Sequence, residues 1–305
     1  MPKLNSRLRR GLVISVLAFA IAGLASGTSA REMANIYDRL LYPEGPVFNG
    51  KTLLFTDMLM GEILRFDEAG GAAVWSDDNC GPTSLAKLPS GLWLTSCHLT
   101  HQLVYLDFTN AEAARQVARE DLHRPNDMSA GAAGVYVSES GEFDPHAPIT
   151  GKLWLIKAPG EKLLVADKIH YANGVAVTAD GRSLLVCEHL ARRVWRYPIL
   201  FDGTLGPRTL AFDVADHLSG TIAPLTGPDG IEPAPDGSFY VAINGRASVM
   251  HVSNDGKLIE TFQTPGYPFT TNVVLTPDGG GLYAVSNRNL PRQAGALFYI
   301  DLRKD

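Results

Sequence analysis

The chain has 305 residues, 45% of them apolar, and its 27 Lys and Arg residues are outnumbered by 32 Asp and Glu residues, for a net charge of -5. This size and composition suit one large all-β domain or two smaller ones. Because no basic stripe is present to attract phosphates, nucleic acid is excluded as a partner.

Residues 1–30 have the layout of a secretory signal peptide. Basic residues precede an apolar run at 11–24, and small residues end the segment. The apolar run is shorter than the roughly 20 residues of a membrane span. We therefore expect a periplasmic or secreted mature chain, residues 31–305, with no membrane contact after signal cleavage. An uncleaved anchor is the alternative, and the Arg9-Arg10 pair leaves both general and twin-arginine export open.

Three cysteines, Cys80, Cys97 and Cys187, are too few for a disulfide framework. Cys80 and Cys97 could form one bridge. The expectation is instead that all three are small, buried, apolar side chains.

The rest of the chain repeats one pattern six times, a glycine-containing turn followed by an apolar strand and a second short strand. The turn-and-strand segments lie at 48–57, 88–96, 129–139, 178–188, 235–244 and 276–287. The strands that follow them lie at 61–67, 101–107, 151–157, 192–198, 247–253 and 295–301. Glycine between two alternating runs is typical of a β-hairpin, and a spacing of about 46 residues is that of a propeller blade.

We therefore predict an all-β fold over residues 31–305, a six-bladed β-propeller with four-stranded blades. A looser strand follows in most units, such as 72–78, whereas the last unit has no room for one. The segment IYDRLLY at 36–42 is expected to supply it, so that an N-terminal strand closes the ring. An open β-sandwich also has many short strands, but it does not repeat a three-strand pattern six times.

Polar residues occupy one register at the start of the first strand of each unit. In a propeller these strands lie nearest to the axis, so their first residues reach one mouth of the central channel. The six residues are Glu44, Thr83, Asn126, Asn173, Asp229 and Asn272. Two acids at the axis would repel each other and lose hydration unless a cation neutralised them. The alternative is that these side chains only cap strands and turns.

The donor set predicts the class of cation. Oxygen ligands without His or Cys favour Ca²⁺, Mg²⁺ or Mn²⁺ over Zn²⁺ or Cu²⁺. We expect Ca²⁺ first, with Mg²⁺, Mn²⁺ and Zn²⁺ as other possibilities. A second polar set ends the following strands and could line the pocket around the cation or simply be solvated: Asp57, His98, Glu139, Glu188, Asn244 and Asn287.

Several of these segments resemble the family of gluconolactonases, senescence marker protein and luciferin-regenerating enzyme. They are YPEGPVF (42–48), RPNDM (124–128), ANGVAVTADGRSLLVCEHLARRVWRYP (172–198) and GPDGIEPAPDGSFYVAI (227–243). The resemblance extends from residue 42 to about residue 287 and implies a calcium-type metal held by Glu44, Asn173 and Asp229.

The RPNDM motif implies substrate contacts from Arg124, Asn126 and Asp127. This chain departs from the family pattern at Glu139, where relatives often have Asp, and after Asp127, where a glycine is common. Both departures lie near the expected substrate. Arg124 could instead brace Asp127 as a structural pair.

The expected activity is metal-dependent opening of a lactone, of the sugar-lactone type in the related gluconolactonases. The metal would polarise the carbonyl, with Asp229 as the general base and Glu44 chiefly a ligand. Besides the RPNDM residues, the expected substrate contacts are Glu139, His98 and Asn272. No G-x-S-x-G motif is present, and no cysteine has an evident base beside it.

Two other functions remain open. The same metal could serve a phosphotriesterase or arylesterase, or the ion could be structural in a non-catalytic binding propeller, since a fold does not determine a function. Substrate specificity is expected to reside in the loops at 140–150 and 215–225.

Overall fold

The computed structural model describes residues 30–110 and 113–304, so that residues 1–29 of the predicted signal peptide lie outside the described part. The described chain is all-β except for one short 3-10 helix, Val214–His217. Within it, no helix has the length and apolar character needed to cross a bilayer.

Two short N-terminal strands precede four antiparallel sheets of four consecutive strands each. The N-terminal strands are β1 (Arg31–Glu32) and β2 (Ala34–Leu40). The first sheet contains β3 (Pro43–Asn49), β4 (Thr52–Asp57), β5 (Glu62–Asp67) and β6 (Gly70–Ser76), and the second contains β7 (Pro82–Lys87), β8 (Trp93–Cys97), β9 (Gln102–Asn110) and β10 (Ala113–Asp121). The third contains β11 (Pro125–Gly131), β12 (Gly134–Glu139), β13 (Gly151–Ala158) and β14 (Glu161–Ile169), and the fourth contains β15 (Ala172–Val177), β16 (Ser183–Glu188), β17 (Arg193–Pro198) and β18 (Thr209–Asp213).

The remaining strands form one nine-stranded sheet together with β1 and β2. They are β19 (Gly227–Pro233), β20 (Phe239–Asn244), β21 (Ser248–Val252), β22 (Leu258–Gln263), β23 (Phe269–Leu275), β24 (Gly281–Arg288) and β25 (Ala294–Asp301). Two sets of four strands are joined in this sheet through a single residue pair, Asn244 with Phe269. The prediction of six separate four-stranded sheets therefore holds only for the first four.

The junction has a local cause. The chain entering β23 runs beside the turn after β20, where the carbonyl of Pro268 accepts hydrogen bonds from the backbone N–H groups of Gly245 (2.9 Å) and Ala247 (3.0 Å). These bonds bring the start of β23 alongside the end of β20, which merges two sets of strands that the repeat pattern treats as separate.

The first strands of the repeated units form a closed ring. In chain order β3, β7, β11, β15, β19 and β23 each contact the next, and β23 contacts β3. The arrangement is therefore propeller-like. Strand β2 pairs with β25 at the outer edge of the last set, as predicted for the segment at 36–42. Strand β1 pairs in parallel with β22, a contact that was not predicted.

The hydrophobic core lies between neighbouring sheets. Apolar side chains at alternate positions of a strand face one neighbour, as the period of two in a β-strand requires. One cluster, for example, joins Leu94 and Tyr105 of the second sheet to Val135 and Val137 of the third, and all four side chains are fully buried. The core thus holds neighbouring sheets together around the ring.

Cys80 and Cys97 form a disulfide, whereas Cys187 is buried and free. The expectation of three unpaired cysteines was therefore wrong for two of them. Pairing of β7 with β8 places Pro82 opposite Cys97, so that Cys80, two residues earlier, lies within bonding distance. The bridge fastens the two strands together at the end where β7 begins.

Candidate functional site

Equivalent positions of neighbouring inner strands contact each other at the end where these strands begin. Asn126 donates from Nδ2 to Asn173 Oδ1 over 2.9 Å, and Thr271 donates from Oγ1 to the carbonyl of Pro43 over 2.8 Å. The predicted ligands Glu44, Asn173 and Asp229 begin three of these strands and are only 8%, 5% and 7% exposed. These three residues thus lie, buried, at the starts of inner strands.

Two glycines permit the close approach of the inner strands. A Cβ on Gly174 would lie 2.1 Å from the carbonyl oxygen of Asp229, and one on Gly230 would lie 2.1 Å from Cγ of Asn272. Only glycine leaves room for such contacts. The glycine after Asn173 and the glycine after Asp229 therefore allow β15, β19 and β23 to converge.

Asn173 is held from both sides by hydrogen bonds. Its Oδ1 accepts from Asn126, and its Nδ2 lies 3.2 Å from Nδ1 of His189. Nε2 of His189 lies 3.0 Å from the carbonyl of Leu225. Because a carbonyl only accepts, Nε2 carries the proton and Nδ1 accepts from Asn173. Burial also lowers the pKa of His189 to about 4, so that the ring is neutral near pH 7.

Glu44 and Asp229 are two acids that affect each other. Burial raises the pKa of Glu44 well above its ordinary value, and the charges of Asp229 and Asp127 raise it further. Burial likewise raises the pKa of Asp229, although a hydrogen bond from Asn244 Nδ2 to Asp229 Oδ2 (2.9 Å) opposes this. Within residues 30–110 and 113–304, no ion pair involves either carboxylate.

The chemistry of this donor set fits a hard divalent cation. Two buried carboxylates and a fixed amide supply oxygen ligands and negative charge without a protein cation to balance it. Among the described residues no group of three or more His, Cys, Asp or Glu side chains could hold a metal ion. A metal at this position therefore depends on amide ligands as well as on the two acids.

Two tyrosines that were not predicted also face the two acids. Burial raises the pKa of Tyr42 and of Tyr171, and the charges of Glu44 and Asp229 raise both further. Both hydroxyls are therefore protonated at neutral pH. Each tyrosine lies two positions before a predicted ligand, so the register that identified Glu44 and Asn173 could also have identified them.

Asp127 was predicted to contact substrate, but its carboxylate is occupied by the scaffold. Oδ1 accepts from Ser84 Oγ (2.8 Å) and from the backbone N–H of Met128 (2.9 Å), and Oδ2 accepts from the N–H of Val175 (3.1 Å). Burial raises its pKa to about 6, against these hydrogen bonds. Asp127 thus ties β7, β11 and β15 together.

The alternative that Arg124 braces Asp127 as a structural pair is not observed, because Arg124 has other partners. Its Nη1 lies 2.9 Å from Oε2 of Glu142 and donates to the carbonyl of Gly141 over 3.2 Å. Both partners belong to the loop at 140–150, which follows β12. Arg124 therefore attaches this loop to the start of the third sheet.

Two other predicted substrate contacts, Asn272 and His98, also have partners within the protein. Asn272 packs against Gly230, and its Oδ1 accepts from the N–H of Val273 (2.8 Å). His98 is placed by Nδ1, which lies 3.1 Å from the carbonyl of Pro125, and burial lowers its pKa to about 4. Both side chains remain near the starts of inner strands.

Glu139 differs from its expected position at the axial pocket. Its carboxylate accepts from Lys152 Nζ (2.7 Å) and Trp154 Nε1 (2.8 Å), both on β13, and it lines a groove that also contains His101 and His123. Because both donors lie on β13, the next strand outward, their hydrogen bonds hold the Glu139 carboxylate away from the axial pocket.

Two further acids of the second polar set cap the backbone. Asp57 accepts from the N–H groups of Leu41, Tyr42, Leu59 and Met60. Glu188 accepts from the N–H of His170 (2.8 Å) and from Trp195 Nε1 (2.6 Å). Both side chains are buried and bonded within the protein, so neither is the solvated strand end that was the alternative to a pocket residue.

Glu232, on β19, is a partly buried acid that the sequence pattern missed because it lies outside the register of the ring. Its Oε1 accepts from the N–H of Leu275 over 3.2 Å. Burial raises its pKa to about 8 from an ordinary value of 4.5, opposed by this hydrogen bond and assisted by the charge of Asp127. Its ionisation is therefore less favourable in the folded chain than in the unfolded one.

Glu232→Gln is expected to stabilise the protein at alkaline pH. The amide keeps an acceptor for Leu275 but cannot ionise, whereas the wild type loses stability as pH rises from its unfolded pKa towards about 8. At pH 8 the free energy of unfolding of the variant should exceed that of the wild type by about 1 kcal/mol or more. At pH 4 the two should differ little. Denaturant titrations at both pH values measure this, with the exposed Glu161→Gln as control; equal stabilities at pH 8 would contradict it.

The family model described as SMP-30/Gluconolactonase/LRE-like region matches residues 42–288. The chain belongs to this family. The matched range contains the predicted site residues from Glu44 to Asn272, and it confirms the resemblance drawn from the motifs.

Solved structures of family members and related proteins share the fold. The chain is similar to a luciferin-regenerating enzyme with a TM-score of 0.70 at 19% identity, covering 88% of this chain and 95% of that one. It is similar to regucalcin from Agrobacterium tumefaciens, described as a calcium-binding protein, with a TM-score of 0.68 at 18% identity over 90% and 95% of the two chains. A gluconolactonase from Xanthomonas campestris gives 0.68 at 17% identity over 87% and 88%.

A partial match extends to a second group of enzymes. Serum paraoxonase/arylesterase 1 of Rattus norvegicus is 28% identical over 144 residues, which cover 43% of this chain and 40% of that protein. The match thus spans less than half the length of that relative.

Proposed function

We propose that this protein is a metal-dependent hydrolase that opens lactones, with Glu44, Asn173 and Asp229 as ligands of one divalent cation, Ca²⁺ first. The observation that carries the proposal is the convergence of two buried carboxylates, both with raised pKa, beside an amide held by two hydrogen bonds. Membership of the family with gluconolactonases supports the reaction type, and the likeness to regucalcin supports the ion.

The proposal includes the finer architecture. The six inner strands form a closed ring, and the nine-stranded sheet contains two four-strand sets joined by one residue pair. We infer a six-bladed propeller in which these sets are the fifth and sixth blades, with the site at the mouth of its channel.

A cation bound there would act as a Lewis acid that polarises the lactone carbonyl. The chain's own residues then divide the remaining work. Asn126 and His189 hold the amide of Asn173, and Asn244 holds one oxygen of the Asp229 carboxylate. Asp229 removes the proton of the attacking water and returns it to the ring oxygen as the C–O bond breaks. The protonated tyrosines Tyr42 and Tyr171 are donors for substrate oxygens.

One further candidate is a phosphotriesterase or arylesterase that uses the same site. The partial match to serum paraoxonase/arylesterase 1 favours it. Both reactions need a polarised oxygen and an activated water, so the same residues would serve.

A substrate panel assayed with and without EDTA tests the proposal. It contains glucono-1,5-lactone, δ-valerolactone, δ-decalactone, a homoserine lactone, phenyl acetate and paraoxon. Turnover of a lactone that EDTA abolishes and Ca²⁺ restores is the expected result. Preferred turnover of paraoxon or phenyl acetate would favour the arylesterase. Cation binding without turnover of any ester would contradict the proposal and indicate a binding propeller.

We also propose that the chain is exported to the periplasm or secreted. The pattern of residues 1–30 supports this, and so does the Cys80–Cys97 disulfide, because disulfides persist mainly in oxidising compartments. Fractionation of cells that express the full chain, compared with a chain lacking residues 1–30, tests the export.

A further inference from the structure

Three aromatic rings meet beside the proposed cation site. Phe143 lies 4.6 Å from Tyr171 and 5.2 Å from His189 between ring centroids, and Tyr171 lies 5.7 Å from His189. They come from three separate segments, namely the loop at 140–150, the residue before β15, and the turn after β16. We name these three rings the aromatic wall.

The wall is adjacent to the reacting groups. His189 contacts the amide of Asn173 directly, and Tyr171 lies two residues before Asn173 at the start of β15. A substrate whose carbonyl reaches Asp229 therefore has its neighbouring atoms next to these rings.

The wall is also held rigidly. His189 is hydrogen-bonded at both ring nitrogens and is almost fully buried, so its ring is fixed behind the other two. The loop that carries Phe143 is anchored immediately before it. Arg124 binds Gly141 and Glu142, and Asn126 donates to Ser140 Oγ over 3.1 Å. Phe143 itself is half-buried, so part of its ring remains accessible.

Other apolar side chains surround the same mouth. Leu99 is 54% exposed and lies over Gly81, where a Cβ would be 2.5 Å from its Cγ. Leu59 and Ile149, in the corresponding loops of the first and third sheets, are each 50% exposed. Three of the loops at this end of the sheets thus carry an exposed apolar side chain.

The three side chains of the RPNDM motif that were expected to bind a sugar already have partners within the protein. Arg124 is paired with Glu142, both oxygens of Asp127 accept hydrogen bonds from the scaffold, and Asn126 Nδ2 donates to Asn173 and Ser140. A polyhydroxylated lactone would have to displace these contacts, because each hydroxyl removed from water needs a new partner.

We propose that the aromatic wall binds the apolar part of the substrate, so that this site selects lactones with an alkyl or aryl substituent over sugar lactones, with Phe143 as the specificity-determining residue. This inference rests on the proposed lactonase function for its kinetic consequence. Its binding consequence does not require turnover.

The test compares wild type with Phe143→Ala and Phe143→Leu on δ-decalactone, δ-valerolactone and glucono-1,5-lactone. Wild type should prefer δ-decalactone. Phe143→Ala should lower kcat/KM for δ-decalactone about 10-fold, chiefly through KM, and change δ-valerolactone by less than about 2-fold. Phe143→Leu should recover most of the loss. Phe201→Ala is the matched control. Phe201 is fully exposed in the turn after β17, which lies at the end of the sheet opposite to the mouth.

Binding of two lactams that resist hydrolysis separates this inference from the proposed function. Calorimetry with Ca²⁺ present should give about 10-fold tighter binding of 6-pentyl-2-piperidone than of 2-piperidone, a preference that Phe143→Ala removes. If no lactone is opened but this preference is found, the wall stands and the lactonase function fails. Equal binding of the two lactams by wild type, or equal losses on all substrates in Phe143→Ala, would overturn the wall.

Discussion

Asp229→Asn is expected to lower kcat for lactone opening by about 1000-fold, within the range that general-base catalysis contributes. The amide keeps an oxygen for the cation but cannot take a proton from water. Its partner Asn244 lies 2.9 Å from Oδ2 in the wild type, and the amide fits the same space. Rates are measured with the best lactone at saturating Ca²⁺, and Ca²⁺ binding is followed by calorimetry on the same sample.

The control for this variant is Asp38→Asn, an exposed aspartate on β2 at the outer edge of the nine-stranded sheet. It removes the same charge far from the mouth and should leave kcat unchanged. If Asp229→Asn binds Ca²⁺ and retains the full rate, Asp229 is not the base.

Removing the cation is expected to destabilise the fold, and Glu44→Gln should abolish this dependence. In metal-free protein Glu44 and Asp229 are buried near each other without an opposing ion pair among the described residues, and a bound cation would relieve their repulsion. At a Ca²⁺ concentration 100 times the dissociation constant, binding adds about 2.7 kcal/mol. A chain of this size should then melt about 5 to 10 °C higher with Ca²⁺ than with EDTA.

In Glu44→Gln that difference should fall below about 2 °C, because one of the two charged ligands is lost. The metal-free variant should also melt above the metal-free wild type at neutral pH, since one buried carboxylate no longer has to ionise. Thermal scans with and without EDTA measure both effects, with Glu161→Gln as the control. An undiminished response to Ca²⁺ in Glu44→Gln would exclude Glu44 as a ligand.

The repeat pattern predicted those parts of the fold that are determined by short stretches of sequence, namely the turns and the strands on either side of them. Glycine turns and alternating strands identify hairpins, and the inner strands begin at one mouth, so the sequence predicts that Glu44, Asn173 and Asp229 lie close together. The closing strand followed from the same count, and β2 pairs with β25 as expected. Tyr42 and Tyr171 could have been found by extending this register two residues upstream.

Other features depend on contacts that a repeat does not encode. The position of Glu139 is decided by Lys152 and Trp154, which lie beyond an irregular loop on the next strand. The disulfide depends on the register of β7 against β8. The merger of two strand sets depends on the path of Pro268 beside the turn after β20. In each case a side chain or a backbone group contacts a partner at a sequence distance that the repeat does not specify.

A crystal structure grown with Ca²⁺ tests the central claim most directly. The account predicts one cation at the mouth of the ring, with an oxygen atom of each of Glu44, Asn173 and Asp229 at about 2.3 to 2.6 Å from it. A cation bound elsewhere, or any of these three oxygens farther than about 4 Å from it, would contradict the assignment of the site.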